Sequence, residues 1–376
     1  LVLGTGAAVL RAEATRSGAS IVTGVDAEGK ASVHLAAGDE RGINAAVAAL
    51  PLAGGVVILG PGVFTINRPV VIDRDGIELR GSEAGTVLRL ADGANCPLLV
   101  VGSLATPTHH VVRHILVQRL QLDGNRGRQS QECYQGGSGV RGSELIRNNC
   151  LTVRGAEDVQ IADLVTRRAR SGGVVLEKSC RRILVLRLES HDNEFDGLAA
   201  YETEDSIFLQ LNLHDNRCAA LSFDWRFNNN LVAVSELARN GSQGIFMRDS
   251  VGNRFERVLI RDNGAQGIFL AETPELAGTA SRDNRFQTLT ITANKAQGVR
   301  INDATCTGNS LEGSRVSANG HDDISLATPG LLQVMAAIAP RLVTADTRRA
   351  AGESSAEPAM NQAPGTVAVL LPEDTP

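Results

Sequence analysis

HDNEFDGLAAYE, residues 191–202, is followed by HDNRCAALSFDW, residues 214–225, so that the second copy starts 23 residues after the first. Each opens on a polar stretch suited to a tight turn and runs into alternating apolar residues. The same alternation recurs along the chain. Taking the residue before each alternation as zero gives Gly173, Gly197, Ala220, Gly244, Gly267, Gly298 and Asp323, at intervals of 24, 23, 24, 23, 31 and 25 residues. The long interval is an insertion within ETPELAGTAS. Positions one and three after zero are apolar in every copy, from Val174 and Leu176 to Ile324 and Leu326. Period two in a short run is the mark of a strand with one buried face.

Four residues before zero stand Asn193, Asn216, Asn240, Asn263, Asn294 and Asn319. An amide can bond to its equivalent in the coils above and below while its backbone takes a turn conformation that Asn tolerates. Asn229, Asn253, Asn284 and Asn309, each two residues before an apolar residue, read as a second such row. Short strands, tight turns and a period near two dozen specify an all-β fold, a right-handed parallel β-helix of about ten coils. A leucine-rich horseshoe fits less well, because its LxxLxL pattern is absent.

The 376 residues, 43% hydrophobic and 21% charged, suffice for a large core, and the 39 glycines with only 3% aromatics favour many short, tightly turned elements. Residues 1–37 read as an N-terminal extension, 38–330 as the β-helix domain and 331–376 as a tail, largely mobile or partly docked through TVAVLL. GDERGINAAVAALPLAGG, residues 38–55, reads as a helix started by Asp39, stopped by Pro51 and capping the first coil. A formal charge of −5 without a basic stripe argues against nucleic acid as a partner, and no apolar run is long enough for a transmembrane segment. LVLGTGAAVLRAEA is compatible with the remnant of an export signal, which points to an extracellular or periplasmic bacterial protein. Six cysteines without CxxC pairs give no zinc or redox motif, although Cys133 and Cys150 flank a glycine-rich insertion that a disulfide could close.

Because a solenoid interior is packed, chemistry belongs to outward positions. Position two gives Val175, Ala199, Ser222, Phe246, Phe269 and Arg300. Position four gives Glu177, Tyr201, Asp224 and Arg248 on successive coils, about 5 Å apart per coil. Two carboxylates two coils apart suit an inverting glycoside hydrolase. The same row suits proton abstraction beside a uronic carboxylate, with Tyr201 in proton transfer and Arg248 neutralising substrate charge. Trp225 offers a ring on which a sugar stacks, and Lys178, Glu202 and Asp249 extend the patch as binding residues. The insertion NRGRQSQECYQGGSGVRGSELIRNN, residues 125–149, carries Arg126, Arg128, Glu132, Tyr134, Arg141 and Arg147 and is placed to wall one side of a groove. Its basic residues, Arg128 among them, suggest an anionic glycan as partner. A solenoid that only binds a glycan fits the same features. His191 and His214 read as turn residues. Asp192, Asp215 and Asp262 repeat, but the calcium motif GGxGxDxUx is missing, so no metal or other cofactor is expected.

LQLDGNRGR (residues 120–128), the glycine-rich loop after it, HDNEFDGLAAYETEDSIF (residues 191–208) and the capped opening at Gly38 together resemble the parallel β-helix catalytic module of secreted mannuronan C-5 epimerases. They resemble pectate-lyase-like proteins more loosely. The resemblance covers most of residues 38–328 and implies action on an acidic polysaccharide, as a uronan lyase or C-5 epimerase. That family's Tyr-Gly-Phe-Asp-Pro-His stretch is not kept: the corresponding segment is SGGVVLEKS, residues 171–179, where its Tyr, Asp and His fall on Gly172, Val175 and Glu177.

Overall fold

A computed structural model describes residues 11–14, 20–26, 29–135, 146–273, 279–336, 338 and 342–344. One parallel sheet of eleven strands runs along the molecule: β1 (Val70–Ile72), β2 (Leu99–Gly102), β3 (Leu151–Arg154), β4 (Val174–Glu177), β5 (Leu198–Tyr201), β6 (Leu221–Asp224), β7 (Ile245–Arg248), β8 (Ile268–Ala271), β9 (Val299–Ile301), β10 (Ile324–Leu326) and β11 (Leu342–Thr344). Each strand pairs in parallel with the next, and Val174, Leu198, Leu221, Ile245, Ile268, Val299 and Ile324 share one register position. The period read from the sequence is thus the physical repeat of the coil.

A second, larger sheet closes the coil. Its long strands Val112–Asp123, Ala156–Arg167 and Cys180–His191 lie in parallel register, with Ile115, Val159 and Ile183 stacked inward. Phe208, Phe223, Phe227, Phe255 and Phe286 fill the middle of the core, with Phe223 and Phe227 stacked at 3.7 Å. Burying such rings contributes about 1.5–3 kcal/mol each.

The asparagine row forms a continuous buried ladder. Each Nδ2 donates to the next Oδ1, from Asn193 to Asn216 at 2.8 Å and on to Asn319 from Asn294 at 3.0 Å, and each backbone N–H donates to the same oxygen. The second ladder is Asn230, Asn253, Asn284 and Asn309. Asn230 replaces the expected Asn229, because Val232 and not Leu231 shares the interior column of Phe255 and Phe286. Asn229 turns the chain in the left-handed region (φ 57°) at the surface.

The helix α1 (Glu40–Ala49) begins where the Asp39 side chain accepts from the N–H groups of Arg41 and Gly42 (3.0 and 3.1 Å). It buries Ile43, Ala46 and Val47 in the core, and the Arg74 guanidinium donates to the carbonyl of Leu50 and to that of Val47, which also accepts from the Leu50 N–H. Upstream, Ala31–Leu35 adds a parallel strand to Gly55–Leu59, and Ser20–Val25 and Arg11–Ala14 continue that edge in antiparallel fashion. The six cysteines are free thiols; Cys150 is buried, its Sγ at 3.4 Å from the carbonyl oxygens of Leu122 and Arg167, so the Cys133–Cys150 bridge is not made. TVAVLL (residues 366–371) and Arg141 lie outside the described residues.

Candidate functional site

On the outer face of the eleven-stranded sheet, the fourth position forms one column. Arg154 pairs in register with Glu177, Tyr201 with Asp224, and Arg248 with Ala271. Two ion pairs occupy it. Arg154, fully buried, reaches Glu177 at 2.8 Å and donates to the Thr106 hydroxyl at 2.9 Å. Arg248 holds Asp224 through two nitrogens, Nε at 3.0 Å, while the other carboxylate oxygen accepts from the Trp225 N–H and the Thr273 hydroxyl. Burial outweighs these cations: Glu177 is pushed above its ordinary range and Asp224 up to about 6. Arg248 was expected to meet substrate charge; in the structure its guanidinium is engaged by Asp224.

Tyr201 stands between the two pairs. Its ring lies 5.8 Å from that of Trp225, tilted by 47°, and its hydroxyl makes no hydrogen bond among the described residues. Burial, reinforced by the charges of Asp196 and Asp224, raises its pKa, so the phenol keeps its proton at neutral pH.

The next residue of each coil turns the chain in the left-handed region: Lys178 (φ 61°), Glu202 (48°), Trp225 (48°) and Asp249 (43°). A non-glycine residue there is strained, and backbone bonds between coils, such as Glu202 N–H to Trp225 O at 2.7 Å, hold it. These four residues therefore form a second column beside the first. Glu202 is engaged by Arg226 and the Ser179 hydroxyl, both at 3.2 Å.

The opposite edge was not anticipated. The residues before the seven zeros, Gly172, Asp196, Ala219, Gln243, Gln266, Gln297 and Asp322, form a column on that edge. The three glutamines form a ladder of amide bonds at 3.3 and 3.2 Å. Asp196 accepts from the Ala219 N–H at 2.8 Å and from the Ser222 hydroxyl, and burial raises its pKa to about 6. Arg147, from the returning strand of the insertion, is ion-paired to Glu132 and lies over the Phe195 ring at 5.2 Å. Its charge acts on Glu177, Asp196 and Tyr201 together. The dipeptide pattern Asp-Gly at 196–197 reads as a turn, which hid the acid.

Between the two edges runs position two. Val175, Ala199, Ser222 and Phe269 were expected to be open to solvent but are 6%, 3%, 9% and 3% exposed, although they lie outside the core cluster. Val175, Ala199 and Ser222 are short side chains set between columns of longer ones, a trough in side-chain height that the Phe246 and Phe269 rings end. Phe246 and Phe269 stack on one another at 5.6 Å, and the Arg248 guanidinium covers Phe246, so those ring faces are taken.

Other expected residues fall elsewhere. Arg128 is exposed and ion-paired to Asp92 at 3.7 Å, on the loop that bonds to Gly93, apart from these columns. His191 and His214 end their strands and stack at 5.1 Å, each Nδ1 at 2.7 Å from the carboxylate of the following aspartate. Asp215 is also held by Arg239, and Asp262 by Arg261. Among the described residues no group of three or more His, Cys, Asp or Glu is placed to hold a metal, and no helix is long and apolar enough to cross a membrane.

Residues 149–326 match the family model described as right handed beta helix region. No curated protein sequence matches the chain. Among solved structures, the A-module of mannuronan C-5 epimerase AlgE6 from Azotobacter vinelandii is similar at 18% identity and TM-score 0.61, covering 77% of this chain and 76% of that one. The AlgE4 A-module of the same organism gives 17% and 0.57, covering 82% and 96%. The gene product 12 of bacteriophage phi29 gives 16% and 0.59, with 78% of this chain against 43% of that one. At these identities the likeness is one of fold. With every coil in register and the family model spanning its central coils, the chain is a right-handed parallel β-helix, close in architecture to those epimerase modules.

Proposed function

We propose that the trough binds an acidic polysaccharide and that the protein acts on it as a uronan lyase or C-5 epimerase-like enzyme, exported to the periplasm or cell exterior. The observation that carries this reading is Tyr201: a half-buried phenol kept protonated, without a described hydrogen-bond partner, set between two ion pairs at the edge of the trough. Such a group donates a proton to a sugar carbon or to a leaving glycosidic oxygen. Lys178 on one side supplies positive charge for a uronate carboxylate, and Arg147 on the other, although ion-paired to Glu132, adds a charge that reaches Asp196 and Tyr201. Trp225 supplies an apolar ring face, with Glu202 and Asp249 bonding hydroxyls. The fold shared with the A-modules of mannuronan C-5 epimerases supports the substrate class.

The glycoside hydrolase reading asks Glu177 and Asp224 to act as free acid and base. Each is engaged by an arginine, which favours lyase or epimerase chemistry over it. A panel of acidic polysaccharides tests the proposal. Absorbance of an unsaturated uronate marks a lyase, proton NMR of inverted C-5 an epimerase, and new reducing ends alone a hydrolase. Tyr201→Phe is expected to abolish the first two signals with the circular dichroism of the fold unchanged. Binding without any of the three signals would leave a glycan-binding protein and refute catalysis.

A further inference from the structure

We propose that Asp196 is the catalytic residue that takes the C-5 proton, working across the trough from Tyr201; the inference rests on the uronan reading above. Three observations favour it over the other acids. Asp224 accepts hydrogen bonds on both oxygens, from Arg248 and from Trp225 and Thr273, and Glu177 stands against the Arg154 charge at 2.8 Å, so each acid faces a cation that lowers its affinity for a proton. The described hydrogen-bond partners of Asp196 are a backbone N–H and a hydroxyl, both neutral. Its equivalents are Gly172, Ala219, Gln243, Gln266, Gln297 and Asp322, so on the coils around Tyr201 the acid of this edge is Asp196, and the other one, Asp322, lies five coils further on. Asp196 lies five residues before Tyr201, at the other end of the strand Leu198–Tyr201, so the two stand on opposite edges of the trough, and the charge of Asp196 reaches the phenol. With a pKa near 6, Asp196 is ionised at neutral pH yet far more basic than an ordinary aspartate.

The step balances as follows. The C-5–H bond breaks, its proton passes to Asp196, and the electron pair moves into the C-6 carboxylate, where the charge of Arg147 stabilises it. The pair then returns to C-5, which takes the Tyr201 proton from the other face and is inverted. Alternatively it forms the C-4–C-5 double bond as the C-4–O bond breaks, and the leaving oxygen takes that proton. Water relays the proton from Asp196 back to Tyr201.

The test is Asp196→Asn beside Tyr201→Phe, assayed on uronans in deuterium oxide. Asn keeps the oxygen that accepts from Ala219, so the turn is preserved. Asp196→Asn is expected to lose about 10²–10⁴-fold in turnover, to incorporate no deuterium at C-5, and to lose the rise in wild-type rate through pH about 6. Tyr201→Phe is expected to retain deuterium exchange while losing product. Turnover by Asp196→Asn within threefold of wild type, or exchange lost in Tyr201→Phe alone, overturns the assignment and leaves the uronan reading standing. A wild-type protein that turns over no uronan overturns both.

Discussion

Replacing Asn230 by alanine removes three buried hydrogen bonds: Nδ2 to Thr203 O at 3.0 Å, Nδ2 to Asn253 Oδ1 at 3.1 Å, and Ser206 N–H to Oδ1 at 2.8 Å. Thr203 O keeps the Asn228 N–H, and Asn253 Oδ1 keeps the Asn230 backbone N–H, so those losses cost about 1 kcal/mol each. The Ser206 amide, by contrast, is left buried without an acceptor, which costs about 1–3 kcal/mol more. The sum is about 3–5 kcal/mol. Asn229→Ala touches no ladder and loses only the tolerance of Asn for a positive φ, about 1 kcal/mol. Because a solenoid unfolds coil by coil, a single global midpoint understates a local lesion. Native-state hydrogen exchange at the Ser206 amide, beside thermal melts, measures it directly. Asn229→Ala costing as much as Asn230→Ala would refute the assignment of the second ladder and the accounting built on it.

Three further outcomes are expected. Gly267→Ala destabilises by about 1–3 kcal/mol in denaturant melts, because the added Cβ would stand 2.4 Å from Ile291 Cγ2 and 2.6 Å from the Gly298 carbonyl. Arg154→Met leaves Glu177 buried without its cation and costs about 3–5 kcal/mol, whereas Arg154→Met with Glu177→Met recovers most of it, read by the same melts. Between pH about 4 and 6 the folded protein binds a proton at Asp196 more tightly than the unfolded chain does, so this group's contribution to stability falls as pH rises through that window. Asp196→Asn is therefore expected to gain stability relative to wild type as pH rises from 4 to 6, by urea midpoints; a constant difference would show that Asp196 is not perturbed.

The repeat was legible because burial imposes period two on every strand and one coil must stack on the next. Each equivalent position then carries the same kind of residue, from Val174 to Ile324. The first asparagine ladder was legible for the same reason. The second was misplaced by one residue in Phe-Asn-Asn-Asn at 227–230, where three amides in a row leave the phase undetermined until Val232 is seen to point inward. The position-four column could be laid out from spacing, since parallel register carries alignment from coil to coil. Its partners could not. Arg154 lies beyond the coils used to set the repeat, and its pairing with Glu177 depends on β3 continuing the same sheet.

What the sequence by itself determined is the solenoid, its phase and the stack of Glu177, Tyr201, Asp224 and Arg248, because these follow from backbone pairing that repeats at constant spacing. Tertiary structure alone decided what each of them meets. Glu177 is ion-paired to Arg154 and Asp224 to Arg248. Val175, Ala199 and Ser222 are nearly covered, and the charges of Arg147 and Asp196, from an insertion and a turn, act on Tyr201. Those relations join residues of unrelated spacing, and electrostatic strength depends on burial and distance, neither of which a repeat encodes.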